Sequence, residues 1–168
     1  MIEVIVSRLG LDAASQAFVI ILEEKGGDRT LPIWIGRTEA ESIAAHLNDV
    51  KRERPLTHDL AQSLITALGG LLRRVQVTRV HNGTFYGELH LTRGGQPVVV
   101  DSRPSDAIAI ALRLEAPIFV SAALFDDAEE AEGGEATAAP MDTDSLSAEE
   151  LKRHLAQLRP EDFGRFQP

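Results

Sequence analysis

With 168 residues, 43% of them hydrophobic and none of them cysteine, the chain can bury one core and carry an appendage; it excludes a disulfide framework, a thiolate nucleophile and a thiolate metal site. The formal net charge of −9 argues against a polyanionic partner, but the acidity is unevenly placed. Residues 1–125 hold 13 Lys+Arg against 14 Asp+Glu and residues 126–168 hold 4 against 12, so the first 125 residues leave nucleic acid open as a partner.

The amino terminus, MIEVIVSRLG, places Glu3 early and alternates like a strand. It lacks the basic stretch and apolar block of a signal peptide, and no apolar run approaches the roughly 18–20 residues of a membrane span. A cytoplasmic protein that does not enter the membrane is expected. Ile2, Val4 and Val6 alternate, Phe18 to Leu22 is a nearly continuous apolar run, and Leu31, Ile33 and Ile35 resume alternation after the turn at Lys25-Gly26-Gly27-Asp28. A three-strand meander follows. Thr38 and Glu41 have the spacing of a capping box, with Ala40, Ile43, Ala44 and Leu47 on one face of a helix of about 12 residues. A second helix starts near Thr57, with Leu60, Leu64 and Leu68 along one side, and Gly69-Gly70 stops it.

Strands resume over Leu72–Val80 and Phe85–Leu91 around Asn82-Gly83, a type I′ hairpin signal, and Gly94-Gly95 turns into Val98–Val100. A third helix follows Pro104, with Ile108, Ala111 and Leu112 inward, and Pro117–Val120 reads as a last buried strand. Beyond Phe125 the composition turns acidic and aperiodic. The expected organisation is a compact domain at 1–125, an acidic disordered linker at 126–145, and a short amphipathic helix and tail at 146–168. In that last segment Ser147 and Glu150 form a capping box, Leu146 and Leu151 a hydrophobic staple, and Leu151, Leu155 and Leu158 a stripe that ends at Pro160. The fold class is α+β: a mostly antiparallel sheet with about three helices in one compact domain.

Two helix openings echo each other. Arg54-Pro55-Leu56-Thr57-His58-Asp59 and Asp101-Ser102-Arg103-Pro104-Ser105-Asp106 each put an Arg before a Pro, then a hydroxyl residue and an Asp in the first turn. A helix amino terminus attracts anions, and a neighbouring guanidinium matches phosphate or carboxylate. Arg54, Thr57, Arg103 and Ser105 are therefore candidate phosphate ligands. Asp59, Asp101 and Asp106 are candidate ligands for Mg²⁺ or Mn²⁺, and with His58 as general base they form the candidate catalytic set. Ordinary capping accounts for the same residues without any chemistry, since Asp and Pro are favoured in first turns. Glu39 joins a carboxylate cluster if the helix starts converge. Lys51, Arg52 and Arg54 form one short basic run and Arg73, Arg74 and Arg79 another; only adjacency in the fold makes them a phosphate-tracking strip.

Leu31-Pro32-Ile33-Trp34-Ile35-Gly36, Glu39-Ala40, the two helix openings, Phe85-Tyr86-Gly87-Glu88-Leu89 and Ala116-Pro117-Ile118 occur in an order that resembles the bifunctional nuclease domain. The resemblance runs from the first strand to about Phe125. It implies a compact α+β domain, self-association into a homo-oligomer, and an activity on DNA and RNA. Two functions are carried forward: a divalent-metal-dependent nuclease hydrolysing phosphodiester bonds, and a non-catalytic module that senses an anion or binds a protein partner.

Overall fold

The structure, a computed structural model, describes residues 1–12 and 17–126. The elements run β1 (Ile2–Leu11), β2 (Phe18–Glu24), β3 (Thr30–Ile35), α1 (Arg37–Leu47), α2 (Thr57–Ala67), β4 (Gly70–His81), β5 (Thr84–Arg93), β6 (Gln96–Ser102), α3 (Pro104–Arg113) and β7 (Ile118–Val120). A helical turn at 123–126 follows. The linker expected from 126 and the carboxyl-terminal helix expected from 146 lie, beyond Asp126, outside the described residues.

The strands form one seven-stranded sheet in the order β3-β2-β1-β7-β4-β5-β6. Each half is built from hairpins. Asn82 and Gly83 have φ of 50° and 72°, and Gly94 and Gly95 have 56° and 80°, so both tight turns use the left-handed backbone that Asn and Gly tolerate. The short β7 joins the halves, antiparallel to β1 and parallel to β4. The domain is α+β as expected, but the sheet is mixed rather than the mostly antiparallel one expected, because β7 runs parallel to β4. The chain returns through α3 and inserts β7 between strands already laid down, which no local turn signal announces.

All three helices serve one side. Ile20, Leu22, Leu31, Ile33, Val75, Val77, Ile118 and Val120 form the sheet's contribution to the core, each at most 5% exposed. Helix α3 lies at the centre of that core, with Ala107 to Ala111 buried without interruption. Its alternation of Ala with Ile lets neighbours approach on every side, and both α1 and α2 pack against it. Gly87 on β5 runs directly beneath its start: a Cβ there would lie 3.1 Å from the Pro104 N and Cα atoms. Helix α1 begins two residues earlier than the Thr38–Glu41 capping box implies. Gly36 is its N-cap without a side-chain hydrogen bond, and Glu41 instead accepts from Arg37 Nε at 2.7 Å.

Candidate functional site

The two echoing motifs meet. The starts of α2 and α3 converge on α1, and one continuous polar network links them. His58, in the first turn of α2, is 8% exposed. Its Nε2 lies 3.0 Å from Asp106 Oδ1 on α3, and its Nδ1 lies 2.8 Å from Ser42 Oγ on α1. In the neutral ring this pattern is satisfied by Nε2–H donating to the carboxylate and the serine hydroxyl donating to Nδ1. Arg103 donates to Asp106 through Nε at 2.8 Å and Nη2 at 3.2 Å, and Nη2 also reaches Glu39 Oε1 at 2.5 Å. Glu39 therefore does join a cluster at the helix starts, as the ion-pair partner of Arg103.

A second branch runs through Arg113 in the last turn of α3, whose side chain is only 4% exposed. Its Nε donates to Asp59 Oδ1 at 2.6 Å, Nη1 to the Ala109 carbonyl at 2.9 Å, and Nη2 to the carbonyl and hydroxyl of Ser42 at 3.2 and 3.0 Å. The other oxygen of Asp59 accepts from the Leu56 backbone N–H at 2.8 Å, which caps α2. Ser42 is thus the node that joins the His58–Asp106 and Arg113–Asp59 branches.

Burial pushes the Asp106 carboxyl up, but hydrogen bonds from Arg103 and His58 outweigh it and hold the group below the usual carboxylate range. Asp59 behaves likewise: burial raises it, while the bonds from Arg113 and the Leu56 N–H bring it down further. The Arg103 guanidinium is raised by Asp106 and Glu39. Both aspartates are therefore ionised near neutrality, which suits acceptors within a cationic frame.

Beside this network the α1–α2 connection borders an open groove of about 450 Å³, lined among others by Lys51, Arg52, Arg54, Pro55, Asp59 and Arg113. The first basic run thus lines one depression. Its four cations face Asp49, Glu53 and Asp59, so the balance is one positive charge with histidine neutral. Arg54 is exposed and makes no hydrogen bond or ion pair among the described residues; Thr57 is exposed at the start of α2.

The remaining expected residues lie elsewhere. Ser105 is buried in the first turn of α3, 7% exposed. Asp101 is exposed on β6, paired in register with Glu88, and borders a different groove. Asp59, Asp101 and Asp106 do not form a metal-binding set: among the described residues no group of three or more His, Cys, Asp and Glu side chains is placed to hold an ion. Both oxygens of Asp59 and both of Asp106 already accept hydrogen bonds, so these carboxylates fit arginine rather than a resident divalent cation. The second basic run also disperses: Arg73 bonds Thr92 Oγ1, Arg74 approaches His90, and Arg79 stacks on Tyr86.

Sequence reasoning missed Ser42 and Arg113. The available signal for Arg113 was an arginine ending an otherwise apolar helix, where a buried guanidinium needs a carboxylate and favours the negative helix end.

Residues 20–132 match the bifunctional nuclease domain model. This chain belongs to that family. It is 41% identical over 153 residues to an uncharacterized protein of Mycobacterium tuberculosis, covering 86% of this chain and 87% of that one. It is 29% identical over 113 residues to bifunctional nuclease 1 of Oryza sativa subsp. indica, and 32% identical over 112 residues to bifunctional nuclease 2 of Arabidopsis thaliana. Those two alignments cover 66% and 64% of this chain and 34% of each plant protein. The match thus spans about a third of the length of these two plant proteins. No helix among the described residues is long and apolar enough to cross a membrane.

Proposed function

We propose that the chain is a nuclease that hydrolyses phosphodiester bonds of DNA or RNA where the helix starts converge. The observation that carries this reading is the placement of a basic groove with an unengaged Arg54 beside the His58–Asp106 pair, in a chain whose family includes proteins named as nucleases. Arg54, supported by Lys51 and Arg52, takes one phosphate of the strand. Arg103, 66% exposed despite its two carboxylate partners, offers its outer face to the next. The exposed first turn of α2, with Thr57, adds backbone N–H groups and a partial positive charge.

His58 and Asp106 are the proton-handling pair. Asp106 orients the ring and stabilises it when protonated, and Ser42 fixes it from the other side. Because both ring nitrogens are engaged, His58 acts by exchanging one of these bonds for a water or substrate oxygen during the reaction. Asp59 holds Arg113 at the base of the groove. No step is assigned to a divalent ion, because the carboxylates do not fit one. Asp101 has no role on this geometry.

The runner-up is a non-catalytic module that binds an anion. It is favoured by the pairing of Asp59, Asp106, Arg103 and Arg113 with one another, which is how a structural clamp is built. His58→Gln separates the two. Under the nuclease reading this variant still binds a labelled single-stranded oligonucleotide but cleaves it at least about 100-fold more slowly, the lower end of the range for losing a general base. Undiminished cleavage by a folded His58→Gln protein would remove His58 from the mechanism.

A further inference from the structure

The far end of α2 presents a surface that the proposed nuclease site does not use. Leu60, Leu64 and Leu68 recur every four residues along this helix and are 50%, 52% and 60% exposed, an apolar ridge facing outward. Between the ridge and the sheet edge lies a groove of about 390 Å³ walled by Ile65, Leu68, Leu89, Leu91, Val98 and Val100. Leu89 pairs in register with Val100, and Leu91 with Val98, so all four point to the same side of the sheet. Helix α2 covers this edge only partly, leaving a trough shaped for the apolar stripe of another helix.

We propose that the chain's own segment 146–158 docks in this trough. Its sequence carries Leu151, Leu155 and Leu158 at intervals of four and three, begins with the Ser147–Glu150 capping box, and ends at Pro160. That makes a one-sided helix of about three turns, roughly 18 Å long, against the 11 residues of α2. Such a helix is marginal alone and gains stability by burying its stripe. The intervening 19 residues, 127–145, have a root-mean-square reach of about 25 Å as a flexible chain. A domain of this size has a radius of gyration of about 14 Å, so the trough is within reach. Tethering raises the local concentration of the segment into the millimolar range, so a weak contact is largely occupied. Charge does not oppose the contact, because the trough's Arg93 and Asp101 balance each other, as do Glu149-Glu150 and Lys152-Arg153 in the segment.

The chain has no cysteine, so two introduced thiols report one distance. Under mild oxidation, the full-length Leu68→Cys/Leu155→Cys protein is expected to form a disulfide within one chain at least ~10-fold faster than a Trp34→Cys/Leu155→Cys control, whose first thiol sits on the opposite edge strand. Adding Leu158→Glu removes the advantage. In the protein without introduced cysteines, Leu64→Glu, an exposed and therefore tolerated change, raises hydrogen exchange across 151–158. Equal disulfide rates in the two cysteine pairs would overturn the proposal. So would a bond formed between chains, which assigns the trough to a second copy, or exchange in 151–158 unaffected by Leu64→Glu, which leaves the trough to another protein. None of these outcomes bears on the nuclease reading, which rests on other residues.

Discussion

Arg113 spends all three guanidinium nitrogens on α1, α2 and its own helix while almost wholly buried. Arg113→Ala leaves the Ser42 carbonyl without its donor and the part-exposed Asp59 carboxylate with only the Leu56 N–H, and a loss of about 1–3 kcal/mol is expected in denaturant unfolding. Arg113→Lys recovers only part, because an ammonium cannot reproduce the planar fork. The aspartates make a pH statement. Asp59 and Asp106 both have folded-state pKa values below their unfolded ones, so their contribution is complete above the unfolded value of about 3.9 and is lost as pH falls through the depressed values. The thermal midpoint should therefore drop as pH falls below about 4, with a shallower acid limb in Asp106→Asn. An unchanged limb in that variant would show that Asp106 is not held down as its contacts imply. Both aspartates were visible as first-turn residues, and Arg103 lies in the same motif as its partner Asp106, but the partner of Asp59 was not legible: Asp59 and Arg113 are 54 positions apart, beyond any local pattern.

At the scale of elements, punctuation was readable and sidedness was not. Asn82-Gly83, Gly94-Gly95 and Gly69 mark their turns because each occupies the left-handed backbone that other residues avoid. The Leu60–Leu64–Leu68 spacing correctly identified a helix. Periodicity says only that these residues share a face, however, and that face proves to be exposed. Strand β7 was found from its apolar run, while its place between β1 and β4 depends on pairings made at long range. The seat of α3 depends equally on a residue with no side chain. Gly87→Ala puts a methyl group 3.1 Å from the Pro104 backbone, which has no flexible end to yield, and a cost of about 1–3 kcal/mol follows from overpacking. Unchanged stability on thermal unfolding would mean that β5 and α3 can separate at no cost.

For the whole molecule, the echo between the two helix openings was the most informative feature of the sequence. It raised the question of whether the two motifs meet, and the His58–Asp106 contact joins them across 48 positions. It did not predict how the carboxylates would be used, because an Asp in a first turn serves a cap, an ion pair or a metal equally well. In this fold the ion pairs account for Asp59 and Asp106. Adding Mg²⁺ or Mn²⁺ to metal-stripped protein should therefore leave the thermal midpoint within about 1 °C, since only a ligand bound to the folded state raises it. A rise of several degrees would reveal a resident ion held elsewhere.

The most direct measurement concerns the groove itself: affinity for a labelled single-stranded oligonucleotide across a salt series, in the wild-type chain and in Arg54→Ala. With the strand's phosphate held by Arg54, the substitution weakens binding about 5- to 10-fold and reduces the slope of log K against log salt by about 0.7, one phosphate contact on a single strand, without moving the thermal midpoint. Identical affinity and identical slope in the two proteins would contradict the account and place nucleic acid, if it binds, on another surface.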